Sequence, residues 1–258
     1  MASAARFPGL RLAIGTLSIL RVPVEAADRG TAGRAMACAP LVGAGIGAVA
    51  AAVGWAARTY TGSAFVAAVA AVATCAAVTR ALHLDGLADV ADGLGSAKPR
   101  EQALEIMKRS DIGPFGVASL LLLLTLQITC IASAYGHHRG ALAIIVAAVT
   151  GRLAITLACT PRVPSARPEG LGAWVAGTVS TRLASIVAAL CVAGCVGLGY
   201  VRGPGDALLA GASCVVGVAC ALALLRRCVT RFGGITGDVL GSLVETGAAG
   251  ALLVLAVR

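Results

Sequence analysis

Long apolar stretches separated by short polar connections dominate this chain of 258 residues and leave it few possible folds. They cover residues 35–57, 62–79, 116–135, 141–160, 183–201, 207–225 and 239–257. Each approaches the about 20 residues that an α-helix needs to cross a hydrocarbon layer of roughly 30 Å. In lipid every backbone polar group must be satisfied internally, which restricts a spanning chain to helices or a closed barrel. These stretches lack the alternation and aromatic girdles of barrel strands, and only 3% of the residues are aromatic. The expected fold is therefore all-α: a polytopic integral membrane helical bundle of about seven transmembrane helices, read as a single membrane domain over residues 1–258.

Composition agrees, since 13% of the residues are charged where a soluble domain has about 25%. The chain holds 33 glycines, which let helices approach closely in a solvent that gives no hydrophobic drive for their association. Most of the nine cysteines lie inside apolar stretches, with no spacing that suggests a disulfide framework or a zinc site, and read as small buried hydrophobes. Before residue 34, Arg6, Arg11, Arg21, Glu25, Asp28 and Arg29 surround only a short apolar run, Leu12 to Leu20. That is no cleavable signal peptide, and an interfacial or re-entrant segment is expected there.

The net charge of +9 is dispersed among connections rather than striped along one element, which argues against nucleic acid as a partner. With seven spans, only Arg58, Arg139, Arg202 and Arg258 fall on one side, Arg152 falls within a span, and every other Lys and Arg falls on the N-terminal side. The positive-inside rule then predicts a cytoplasmic N-terminus. Most acidic residues share that side, which suits an enzyme fed from the cytoplasm better than a transporter, whose polar groups belong near the midplane.

Three aspartates in Arg80–Ser96, RALHLDGLADVADGLGS, carry the strongest chemical signal. At about 100° per residue, Asp89 and Asp92 lie within roughly 40° of Asp85 on one helix face. Like charges stacked this way repel unless a cation sits among them or some stay protonated. A solvated face would ordinarily mix both signs, yet residues 81–97 hold no Lys or Arg. Hard oxygen donors without nearby cysteine or paired histidine favour Mg²⁺, which takes few carboxylates and completes its shell with water and phosphate. A phosphate ester or anhydride is the expected substrate.

A second candidate lies in Arg231–Glu245, RFGGITGDVLGSLVE, where Gly233 and Gly234 precede Asp238 at the start of a helix and could present backbone N–H groups to phosphate. Glu245 sits inside a span, at a cost of about 2.5 kcal/mol or more unless it faces a polar cavity. Lys108, Arg109 and Asp111 precede the third span, where basic groups either clamp a pyrophosphate or anchor the helix to anionic lipid. Arg152 lies within the fourth span and needs a partner, either Glu245 or a substrate phosphate. The loop PRVPSARPEGLG, residues 161–172, contributes Arg167 and suits a lid or rim.

The strings HLDGLADVADGLG, KRSDIGPFGV, ARPEGLG and RFGGITGDVLGSLVE occur in that order, and together they resemble the cobalamin synthase family, also called adenosylcobinamide-GDP ribazoletransferases. The resemblance implies a Mg²⁺-dependent transferase of the bacterial inner membrane that joins adenosylcobinamide-GDP to α-ribazole, or its 5′-phosphate, and expels GMP. It implies a cytoplasmic-face active site built from residues 80–115, 161–182 and 226–245. Asp85, Asp89, Asp92 and Asp238 become catalytic groups and metal ligands, with Glu245 joining Asp238 in a second ligand cluster and Asp89 as general base. His83, Lys108, Arg109, Asp111, Arg152, Arg167, Gly233 and Gly234 become substrate contacts. Many family members read Asp-Ser-Arg-Ile-Gly where this chain has Arg109-Ser110-Asp111-Ile112-Gly113, an exchange of acid and base. Expected partners are these small molecules and the lipid bilayer, with a homo-oligomer or other pathway enzymes left open.

Three rival functions compete with this one. The CDP-alcohol phosphotransferase pattern fails because Asp89 and Val90 stand where Ala and Arg are required. A prenyltransferase would need an apolar tunnel, and a cation transporter would draw on Asp238, Glu245 and Arg152.

Overall fold

The computed structural model describes residues 7–23 and 28–257. Arg6, Glu25 and Arg258 of the charge pattern above lie outside the described residues. Two short helices come first, α1 (Pro8–Leu17) and α2 (Arg29–Ala37), followed by α3 (Ala39–Thr61) and α4 (Ala64–Val78). After these come α5 (Leu82–Gly95), α6 (Arg100–Ile106), α7 (Pro114–Gly136), α8 (Gly140–Ala158) and the single turn α9 (Leu171–Val175). The chain closes with α10 (Thr181–Tyr200), α11 (Pro204–Phe232) and α12 (Gly237–Leu255).

Local chemistry marks the boundaries. Proline stands in the first turn of α1, α3, α7 and α11, where its missing N–H costs nothing. Ser63, Ser180 and Thr236 cap α4, α10 and α12 through their hydroxyls. Gly62 and Gly233 end α3 and α11 in the left-handed region.

Six helices, α3, α7, α8, α10, α11 and α12, are long and apolar enough to cross a membrane. The stretch expected to span at 62–79 instead forms α4, of 15 residues, about 22 Å at 1.5 Å per residue. It joins α5 through a bend of 89°, so that the pair makes a broken span or re-entrant element and brings the total to seven at most. The bend is built from two consecutive non-glycine residues in the left-handed region, Arg80 at φ 54° and Ala81 at φ 55°. Arg80 N–H donates to Ala77 O at 3.1 Å and Ala81 N–H to Ala76 O at 2.7 Å, the paired bonds of a Schellman ending. The α4 carbonyls are thus satisfied while α5 turns across the bundle.

The buried post of the bundle is α8, flanked by α3, α11 and α12. Small residues allow the approach: a Cβ on Gly151 would stand 2.5 Å from the Val244 carbonyl of α12. By contrast α10 is largely exposed to the surroundings, as a peripheral, lipid-facing helix should be. Neither α1 nor α2 is long enough to cross a bilayer, and α1 packs on α2 and α3. The 29 residues of α11 exceed the about 20 a bilayer requires, and its C-terminal turns carry Arg226, Arg227 and Arg231.

Candidate active site

Two glycines bring the aspartate helix against α12. A Cβ on Gly86 would lie 2.6 Å from the Asp238 carbonyl, and one on Gly241 would lie 3.1 Å from the His83 Cα. With no side chains between them, the two backbones meet where α12 begins, so Asp85 and Asp89 of α5 and Asp238 of α12 become neighbours across the contact. Thr236 caps α12, and its hydroxyl also donates to Asp238 Oδ2 at 3.1 Å. The one cation near Asp238 within ion-pair range among the described residues is Arg167, with Nη1 at 3.8 Å from Oδ2.

Arg167 is held from behind. Its Nη2 donates to the Leu104 carbonyl at 2.6 Å, and its Nε is buried with no partner among the described residues. The 161–172 loop that carries it is pinned to the glycine turn by Ala166 N–H to Ile235 O at 3.0 Å and Ile235 N–H to Pro164 O at 2.9 Å. Gly234, at φ 155°, lies so close to Pro164 and Ser165 that a side chain would have no room. Gly234 thus seats this loop as a rim beside the aspartates, whereas Gly233 abuts the Arg100 guanidinium.

The three aspartates of α5 differ sharply. Asp85 is exposed and Asp89 half-buried, whereas Asp92 is 8% exposed. Burial, and then the neighbouring carboxylates of Asp238, Asp85 and Asp92, push the Asp89 carboxyl up to about 7, with Arg167 opposing. Asp92 accepts from Gly113 N–H at 2.8 Å and Gly116 N–H at 2.9 Å, both orphan donors at the start of α7, where the helix dipole also favours an anion. Asp92 thereby fastens α5 to α7, and a Cβ on Gly116 would strike its carboxylate at 2.5 Å.

No three His, Cys, Asp or Glu side chains converge as a closed metal cage among the described residues. The donor chemistry nevertheless fits Mg²⁺, which binds through one or two carboxylates and draws its other ligands from water and substrate phosphate. Asp85, Asp89 and Asp238 provide hard oxygens in excess of nearby positive charge, and this excess adds to the burial that raises the Asp89 carboxyl.

Beyond Arg167 a groove of about 870 Å³ opens between α6 and the loop rim. Lys98, Lys108, Arg109 and Arg167 line it together with Glu101, Glu105 and Glu169. Lys108 pairs with Glu105 at 3.0 Å. Asp111 is exposed on the connection before α7 and does not line this groove. Arg100 and Arg231 brace two of its lining residues by donating to the Ala166 and Lys98 carbonyls.

Deeper in the bundle lies a separate polar group. Glu245 follows Asp238 by seven residues on α12, about 10 Å along the axis, and accepts from Gln127 Nε2 at 2.8 Å. Arg152, 4% exposed, donates through Nη2 to His83 Nδ1 at 3.3 Å. Arg152 and Glu245 line one small cavity of about 50 Å³ without forming a direct ion pair. The structure thus gathers Asp85, Asp89, Asp238 and Arg167 at the face, ties Arg152 to His83 beneath them, and leaves Glu245 a helical step away.

Sequence reasoning missed Gly86, Thr236 and Gln127. A capping threonine before GDV was a legible signal for the second. The others depend on which helix each one faces.

A bundle of membrane helices with a carboxylate cluster and a basic groove at one face defines a multi-pass membrane enzyme built to handle an anionic substrate. The description Cobalamin-5-phosphate synthase matches residues 9–256, and the chain belongs to that family. A Frankia casuarinae protein named adenosylcobinamide-GDP ribazoletransferase is 49% identical over 253 residues, covering 93% of this chain and 91% of the relative. Proteins of the same name from a Nocardioides species and from Desulforamulus reducens are each 37% identical, over 96% and 93% of this chain and 98% and 92% of their own lengths. No solved structure matches the chain.

Proposed function

We propose that this protein transfers the cobinamide phosphate of adenosylcobinamide-GDP to α-ribazole or its 5′-phosphate, releasing GMP. The observation that carries this reading is the backbone contact of α5 and α12 at Gly86, which sets Asp85, Asp89 and Asp238 beside a groove lined by Lys98, Arg109 and Arg167. Displacement at a diphosphate asks a protein chiefly for positioning and charge neutralisation.

The groove cations hold the guanosine diphosphate arm, and Arg167, fixed by its bond to Leu104, lines the groove next to Asp238. A ribose hydroxyl of the acceptor attacks the cobinamide-side phosphorus, the new oxygen–phosphorus bond forms, and the bond to the GMP oxygen breaks. Asp89, half-buried with its carboxyl near 7, takes the proton of the attacking hydroxyl, as a general base poised near neutrality does. Asp85 and Asp238 would hold Mg²⁺, which when bound would neutralise charge on the phosphate oxygens, leaving Asp89 free for the proton. Asp92 keeps α5 in register with α7. The excess of Lys and Arg on this side supports a cytoplasmic face for the site and an N-terminus inside.

Detergent-purified protein given both substrates should form a cobalamin and stoichiometric GMP with Mg²⁺ and none after chelation. A well-folded preparation that yields neither product with metal present removes this reading.

A further inference from the structure

A further cavity, of about 220 Å³, is bounded by Asp85 and Asp238 and differs from the basic groove in kind. Leu17 of α1, Met36 of α2, Ile155 of α8 and Leu240 of α12 wall it, and all four side chains are at least 96% buried. Asp85 and Asp238 reach its rim, and His83 lines it. Protein interiors are normally packed with few voids larger than a water molecule, so an apolar hollow opening beside the aspartates calls for an occupant. Its size falls below the roughly 300–1,000 Å³ of sites that enclose a whole ligand, which fits one ring system rather than a corrinoid.

His83 adds direction. A guanidinium only donates hydrogen bonds, so the contact from Arg152 Nη2 requires Nδ1 of His83 to accept and puts the ring proton on Nε2. That Nε2 is buried with no partner among the described residues, although His83 is only 2% exposed. A buried N–H left unpaired costs about 1–3 kcal/mol, and an acceptor atom on the occupant would remove the cost. Arg152, deep in the bundle, thereby acts as the positioning residue that sets the tautomer.

We infer that this cavity binds the aromatic base of the acceptor nucleoside, with its free ring nitrogen accepting from His83 Nε2 and its ribose directed at Asp85 and Asp238. The inference rests on the transferase reading above and extends it. A ribosylated benzimidazole has the required parts: a flat apolar bicycle, one unsubstituted ring nitrogen, and hydroxyls on the sugar. The assignment also gives α1 and α2 a purpose, since Leu17 and Met36 form the roof over the base.

Steady-state kinetics with each substrate varied in turn test this. Ile155→Phe and Leu240→Phe fill the hollow from two sides and should raise KM for α-ribazole by about tenfold or more while leaving KM for adenosylcobinamide-GDP unchanged, about 1.4 kcal/mol of lost binding per decade. An α-riboside with carbon in place of the free ring nitrogen should be a poorer acceptor for the wild type, and His83→Leu should abolish that discrimination. Wild-type turnover with an unaltered ribazole KM in both filled variants, or equal use of the carbon analogue, overturns the inference while the transferase reading stands. Absence of any wild-type product overturns both.

Discussion

The two faces of the bundle treat aspartate in opposite ways. On the face away from the groove, Asp206 accepts from Arg139 Nε at 2.6 Å and from Arg202 Nε at 2.9 Å, so that both oxygens meet a guanidinium. Arg139 also donates to the Val257 carbonyl at 3.0 Å, knitting the connections of that face together. On the other face Asp85, Asp89 and Asp238 crowd one another with, among the described residues, only Arg167 in ion-pair range, at 3.8 Å from Asp238. A carboxylate meant to hold loops is neutralised within the chain; a cluster left with surplus negative charge is arranged for a cation and a phosphorylated substrate from outside. The glycines divide in the same way. Gly86 is pressed against the Asp238 backbone, while Gly205, beside Asp206, has open space where a Cβ would go.

That contrast can be broken most forcefully at the aspartates. Asp85→Asn and Asp238→Asn should each lower GMP release by about 10²–10³-fold, with the melting temperature in detergent held or raised. Asp206→Asn should leave turnover at the wild-type level. Equal losses at all three positions would erase the distinction between the faces. Gly86→Ala comes next: the added methyl forces α5 and α12 apart and should cost about 1–3 kcal/mol in thermal unfolding together with most of the activity. Gly205→Ala should be silent in both assays. Asp206→Ala strands two guanidinium groups and should cost about 1–2 kcal/mol of stability without touching the reaction, which unfolding and turnover measured on one sample will separate.

A pH dependence follows from the same cluster. The Asp89 carboxyl rises from 3.8 to about 7 on folding, so the native state binds this proton more tightly than the unfolded chain does. Linkage then requires metal-free protein to lose stability as pH rises from about 4 through 7, the protonated form being the one the cluster tolerates. Asp89→Asn, always neutral, should escape that loss. Its melting temperature should match the wild type at acid pH and exceed it above neutrality in the presence of a chelator, and Mg²⁺ should shrink the difference.

Much of this architecture was readable because lipid is an unforgiving solvent. Runs such as 141–160 and 239–257 can satisfy their backbone in hydrocarbon only as helices, and the structure places α8 and α12 there. The run at 62–79 was less legible, since hydropathy does not show that Arg80 and Ala81 take left-handed backbone and turn the chain through 89°. The shared face of Asp85, Asp89 and Asp92 was likewise visible in periodicity alone. Periodicity could not distinguish them, and it is the nearness of the α7 N-terminus that occupies both oxygens of Asp92. Nor could it separate Glu245 from Asp238: the two share a helix face, but Gln127 of α7 meets only the deeper one.

The sequence by itself determined the class of fold, the face on which the charges gather and the residue types available for chemistry, because each follows from the local cost of placing a side chain or a peptide group in lipid. Tertiary structure decided which carboxylates remain free, which cation reaches them, and that an apolar hollow opens at their side. Those outcomes depend on contacts between segments far apart in the chain, such as Gly86 with Asp238 and Arg152 with His83, and they exist only once the helices have packed.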